Sequence, residues 1–302
     1  MQQKSNAIYY VYMFLVVGIW SVSPLVTKTF YDYYSATAYT LLCALISAVS
    51  FTLLSVKKLK MLDKQYFKVA IVTGACYSLA TISQKIGLQY TTPAMYAFLE
   101  NTSCIIVPLL MLFMFKQKPC KPVAFASVIC LLGCFVLSGA NFSGGLGMGE
   151  ILCALAGFLY AGNIVGTGVY AKKMDAVLYL MIQQWVNVVL SALFMVCLHY
   201  IRPEGVALEY IHFSFDFKIL LLAVLTNLIV SCVCWILRTI TVTKLDVTVV
   251  TITMSTPAVL TTILSVCLGL DTVSWSLILG ATLIFSAVLL SGLGETLSTK
   301  KN

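Results

Sequence analysis

Apolar runs of about twenty residues, separated by short basic or turn-forming stretches, recur along the whole chain. Read as helices, they cover residues 8–27, 36–56, 67–88, 94–115, 123–139, 150–171, 176–200, 217–240, 247–268 and 274–293. A helix of roughly 20 apolar residues rises about 30 Å, the thickness of a bilayer's hydrocarbon core. The pattern therefore predicts an all-α integral membrane protein with ten transmembrane helices. Most connections are short, so sequential spans are expected to be antiparallel neighbours. The one long loop, 201–216, sets Glu204, Glu209 and Asp216 against Arg202.

The loop charges alternate. Lys57, Lys58, Lys60 and Lys64 follow the second span; Lys116, Lys118 and Lys121 the fourth; Lys172 and Lys173 the sixth; Arg238 and Lys244 the eighth; Lys300 and Lys301 the tenth. The intervening loops hold only Lys28, Arg202 and Lys218, with Lys85 near a helix end. Lysine and arginine collect on the cytoplasmic side, so both termini are expected there, in a multi-pass protein of the cell membrane. The opening MQQKSNAIYY is read as the start of the first span, because no small-residue cleavage site follows it.

A weak repeat runs through this pattern. Residues 88–108 and 237–257 match in length without a gap. Each holds a helix end, a Thr-containing link and a following span with a proline in its body, Pro108 or Pro257. The matched spans are five apart. A second copy of an odd-numbered unit must enter the membrane from the opposite side. The chain is thus predicted to consist of two inverted five-helix repeats, residues 1–145 and 146–302, divided near the glycine-rich stretch 141–149. Secondary transporters recurrently use this plan, with the ligand site at the midplane between repeats.

Charged residues make up only 10% of the chain, against about 25% in soluble domains. Loop charges account for the net +8, so no nucleic-acid partner is expected. The eleven cysteines show no metal-ligand rhythm. The helix start Thr91-Thr92-Pro93 leads into the span that contains Glu100 and Asn101. A carboxyl group inside a membrane costs roughly 2.5–3.5 kcal/mol on insertion scales. It therefore needs a wet cavity, a proton or a partner, and Lys85 is the candidate partner.

Other embedded polar groups fall at the three- and four-residue spacing of a helix face. Tyr96, Glu100 and Cys104 share a stripe, flanked by Asn101. Others are Tyr77, Thr81, Gln84 and Lys85; Tyr160, Asn163 and Thr167; Gln184, Asn187 and Ser191; Asn227, Ser231, Cys234 and Arg238; and Thr248, Thr251 and Ser255. Such stripes either glue helices together or line a cavity. Trp20 and Trp235 lie deep enough to wall a pocket. Pro24, Pro108 and Pro257 bend their helices, as fixed kinks or as gating points. Gly157, Gly162 and Gly166 allow the sixth span close approach to a neighbour. His199 and His212 fall at or near the outside loop.

Several segments resemble the drug/metabolite transporter superfamily, in its ten-helix EamA-like branch. Trp20 to Lys28, WSVSPLVTK, is similar to the first-span pattern. Residues 97–119, with Pro108-Leu109-Leu110 before a basic turn and Pro119, resemble the fourth-span signature. Residues 149–175 look like the opening of the second copy, and residues 246–292, with Ser255-Thr256-Pro257, like its final pair. The chain departs from the pattern where the family often has an arginine in the second span and Gly-Glu after the fourth and ninth. Glu100 stands where members commonly carry a small, threonine or apolar residue.

The resemblance implies export of an amino-acid-like metabolite. The expected function is a secondary active transporter with alternating access to a central cavity. Its partners would be a small-molecule substrate, the bilayer and a coupling proton, in a monomer or homodimer. The candidate binding residues are Glu100, Asn101, Tyr96, Trp20, Tyr77, Thr81, Gln84, Tyr160, Asn163, Gln184, Asn187, Asn227, Ser231 and Trp235. Glu100 and Lys85 are the candidate ion pair or coupling groups. A multidrug or cationic-compound exporter of the same fold is the alternative. A sensor or an intramembrane enzyme fits less well, since no embedded Ser/His pair, His-rich cluster or second embedded carboxylate is present. No metal or cofactor is expected, and no phosphate-binding loop marks a nucleotide-driven pump.

Overall fold

The computed structural model describes residues 2–91, 93–138, 147–201, 213–267 and 274–299, and these are almost entirely helical. The first set of helices is α1 (Gln2–Phe30), α2 (Ala36–Ser55), α3 (Lys64–Tyr90), α4 (Pro93–Glu100), α5 (Ser103–Phe115) and α6 (Lys121–Ser138). The second is α7 (Met148–Tyr170), α8 (Ala176–Ile201), α9 (Phe217–Asn227), α10 (Cys234–Lys244), α11 (Val247–Thr253), α12 (Thr256–Cys267) and α13 (Trp275–Thr299). Among the described residues, nine helical stretches are long and apolar enough to cross a membrane, and Ile8–Ser23 is a shorter apolar one. The protein is a ten-helix membrane protein. The join at 139–146 lies outside the described residues, as do Arg202, Glu204, Glu209, His212, Lys300 and Lys301, and the side chains of Pro24, Lys28 and His199.

Loop aspartates start the helices. Asp63 accepts from Tyr66 N, Asp175 from Val177 N and Leu178 N, Asp216 from Lys218 N, and Asp246 from Thr248 N and Val249 N. Each carboxylate satisfies amide donors that a helix N-terminus leaves without intrahelical acceptors. Proline opens α4, as the Thr-Thr-Pro pattern predicts.

Three expected continuous spans are interrupted. The fourth divides into α4 and α5 at Asn101–Thr102, where Thr102 N and Thr102 Oγ1 both donate to Leu99 O, at 3.3 and 2.7 Å. The ninth divides into α11 and α12 at Met254–Ser255. There Pro257 lacks the amide that would reach Thr253 O, and its ring crowds that carbonyl. The eighth passes from α9 to α10 through a π-helical stretch, Leu228–Val233.

Sequential spans are not the main packing partners. Instead α6 packs on α13, α3 on α7 and α8, α2 on α8, and α1 on α10 and α12. Small residues allow these approaches: a Cβ on Gly133 would lie 3.0 Å from Ile284 N, and one on Gly280 2.8 Å from Leu137 N. Short loops limit how far apart two helices can lie, but the matching of small and large surfaces decides which pack tightly.

Candidate functional site

Helix α3 places Tyr77, Thr81, Gln84 and Lys85 on one side. Gln84 is the hub. Its amide nitrogen donates to Tyr96 Oη of α4, and its Oε1 accepts from Tyr160 Oη of α7 at 2.7 Å. Tyr160 Oη also lies 3.1 Å from Thr81 Oγ1. Glu100, at the last position of α4, is half-buried and lies one turn beyond Tyr96 on the same helix. The predicted stripe divides at the helix break: Tyr96 and Glu100 face a cavity, while Cys104 is buried in an apolar cluster and donates to Ser127 O.

Arg238 sits on α10, six residues before its end at Lys244, and so about 9 Å inside the helix. It is 4% exposed. Its two terminal nitrogens donate to the same oxygen, Asn163 Oδ1, each at 3.4 Å. Asn163, fully buried on α7, is fixed in turn by donating to Thr73 O at 3.0 Å. The guanidinium lies 4.6 Å from the centroid of Trp235, an arrangement in which the ring face attracts the cation. Trp235 meets the edge of Tyr77 at 4.7 Å and Trp20 at 5.4 Å. Trp20 Nε1 donates to Val230 O, within the π-helical stretch, so the irregular turn anchors one wall of the aromatic box.

Polar chains line the remaining wall. Ser231 Oγ donates to Asn227 Oδ1, and Asn227 Nδ2 donates to Cys43 O and Ser47 Oγ of α2. Ser191 Oγ donates to Asn187 Oδ1, Asn187 Nδ2 to Gln184 Oε1, and Gln184 Nε2 to Tyr77 Oη. These side chains both hold helices together and present polar atoms inward.

Most of these groups line one cavity of about 1320 Å³. Among the sequence-derived candidates it is lined by Glu100, Asn101, Tyr96, Trp20, Tyr77, Thr81, Gln84, Tyr160, Gln184, Asn187, Asn227, Ser231, Trp235 and Lys85. Asn163 stands behind the wall, holding Arg238. Lys85 does not pair with Glu100; its Nζ lies 4.5 Å from the centre of the Tyr39 ring. The principal addition is Arg238. The sequence puts it both on a polar stripe and among the loop charges, and the structure removes it from the loop because α10 continues to Lys244. Trp235 three positions earlier, on nearly the same face, is the local signal of its inward position.

The cavity runs from Arg238 and Thr251 inside the bundle to Thr27, Leu88, Ser138 and Ser274 at one end of it. At the opposite end Lys58 Nζ pairs with Asp175 Oδ2 at 2.6 Å, and Asp175 N donates to Tyr66 Oη at 2.7 Å. Burial opposes charge on Asp175, but Lys58 and the amides of Leu178 and Val177 outweigh it and hold the carboxyl below its usual range.

Residues 7–139 match the EamA-like transporter family. A solved structure described only as "Crystal structure of protein" superposes with a TM-score of 0.73, covering 96% of this chain and 98% of its own, at 17% identity. At that identity the likeness is one of fold. No curated protein matches the chain.

Proposed function

We propose, from the match of residues 7–139 to the EamA-like transporter family, that the protein is a secondary active transporter of a small amphipathic, amino-acid-like metabolite. Two inverted halves, 1–145 and 146–302, alternate access to the central cavity. The contact pattern supports the five-span repeat, and an odd number of spans makes its second copy inverted. Exchanging each span with the one five places on turns the α3–α7 contact into α10–α1, and the α5–α7 contact into α12–α1. The α2–α8 and α6–α13 contacts map onto themselves. Both partner spans, the fourth and the ninth, are broken after their first two turns.

The observation that carries the reading is Glu100, an ionisable group at a helix break that lines the large polar and aromatic cavity. Its carboxyl group binds the substrate's ammonium or carries a coupling proton. The lysine distribution puts the Lys58–Asp175 end on the cytoplasmic side, which makes this an outward-facing arrangement of a cell-membrane protein. The direction of net transport is export, as the resemblance implies. Two cationic side chains, Lys85 and Arg238, line the cavity against one carboxyl, a balance that disfavours the cationic-drug alternative.

The test is flux of labelled amino acids in proteoliposomes with an imposed pH gradient. Glu100→Gln should lower flux at least about tenfold and flatten its dependence on the gradient. Unchanged flux with unchanged pH dependence would sink the role given to Glu100.

A further inference from the structure

We infer that Arg238 is an anion subsite at the deep end of the cavity, which takes the carboxylate of the ligand while Glu100 faces the opposite, cationic end. The inference rests on the transport reading and narrows its substrate class to molecules with a free carboxylate. A guanidinium carries five N–H donors. Here two are directed at one oxygen, at a long 3.4 Å. Glu100 and Arg238 share the cavity without closing into an ion pair. A buried cation without a counter-ion is costly. Arg238 is instead held in place by Asn163 behind it and Trp235 beside it.

This support is rigid. Asn163 is itself tied to Thr73 O, and Trp235 is wedged between Trp20 and Tyr77. A planar fork with unspent donors, fixed by packing and open to a cavity, matches the two oxygens of a carboxylate. The aromatic box formed by Trp20, Tyr77 and Trp235 lies beside it and offers apolar faces to the rest of the ligand. Tyr160, Glu100 and Arg238 line the same cavity, so both ends of a dipolar molecule can be met within one site.

The experiment uses the purified full-length protein and three probe mixtures: the twenty L-amino acids, their carboxamides, and the corresponding decarboxylated amines. Thermal unfolding reads binding, because a ligand of the folded state stabilises it. In parallel, phenylglyoxal modification of Arg238 is followed by mass spectrometry of its peptide, which is distinct from that of Arg202, the other arginine in the chain. The amino acids should stabilise the wild-type protein and slow modification of Arg238 at concentrations at least about tenfold below those of the amides or amines. Arg238→Gln should remove that preference. If this variant fails to fold, the protection of Arg238 in the wild-type protein still decides. Equal effects of amides or amines, or no protection of Arg238 by amino acids, would overturn the subsite. Carboxylate-independent flux of amines would do so while leaving transport intact. Absence of all flux would instead remove the transport reading, and carboxylate-dependent protection would still stand.

Discussion

Asn163 shows how one amide can set the character of a cavity it does not touch. Its oxygen takes both terminal nitrogens of Arg238 and its nitrogen reaches Thr73 O, so it joins α7 to α10 and α3. Asn163→Ala leaves a buried guanidinium short of a partner, while Thr73 O keeps its place in the α3 ladder. The expected loss is about 1–3 kcal/mol, read as a lower unfolding midpoint than wild type. Asn163→Asp should keep the guanidinium placed but fill it with an internal counter-ion. Ligand-induced stabilisation should then fall even where the fold is intact. Unaltered stabilisation by ligand in the Asp variant would argue that the guanidinium is not used.

At the scale of elements, the break between α4 and α5 is where the Glu100 backbone is positioned, and α7 presses directly on it. A Cβ at Gly157 would stand 2.6 Å from Leu99 O, 2.8 Å from Thr102 Oγ1 and 3.1 Å from Glu100 O. Gly157→Ala is therefore expected to destabilise by about 1–3 kcal/mol, the usual cost of overpacking. It should also reduce flux by displacing the carboxyl group. Gly162→Ala is the control, since the nearest atom to its Cβ is Cys76 Sγ at 3.7 Å, an ordinary contact. Equal behaviour of the two variants in thermal unfolding and flux would contradict this account. A Cβ at Gly166 would meet Thr73 Cγ2 at 2.5 Å, so Gly157 and Gly166 serve close approach and Gly162 does not.

For the whole molecule, the pair Lys58–Asp175 ties the turn after α2 to the start of α8 at the end away from the cavity mouth. Lys58→Ala or Asp175→Asn should favour opening at that end. Pulsed EPR distances between the Val56–Met61 turn and the start of α8 should gain a longer population, and the swap Lys58→Asp with Asp175→Lys should reverse it. An unchanged distribution in both single variants would show that other contacts keep this end closed. The pH dependence has a definite sign. The folded carboxyl of Asp175 lies below its unfolded value of about 3.9. Its contribution is thus fully present above that value and is lost as pH falls through the folded one. The stability difference between wild type and Asp175→Asn should be flat from about pH 6 to 8 and shrink only in strong acid.

Ten apolar stretches and the embedded Glu100 are written in the sequence, because hydrophobic length depends on residues a few positions apart. Glu100, Gln84, Gln184 and Asn227 were legible as cavity groups because a strongly polar side chain on a membrane helix is driven inward, whereas Thr282 and Ser286 stay exposed by donating to carbonyls of their own helix. What the helices pack against is not local. The pairing of α6 with α13 and α2 with α8, the diversion of Lys85 to Tyr39, and the transfer of Arg238 from a loop to the cavity floor arise only when distant surfaces meet. Sequence thus determined that an interior had to exist and named part of its lining, while Asn163 fell behind the wall and Tyr31, Tyr39 and Ser47 joined it only in the folded bundle. Tertiary packing decided which of their charges were neutralised by the protein and which were left facing the cavity.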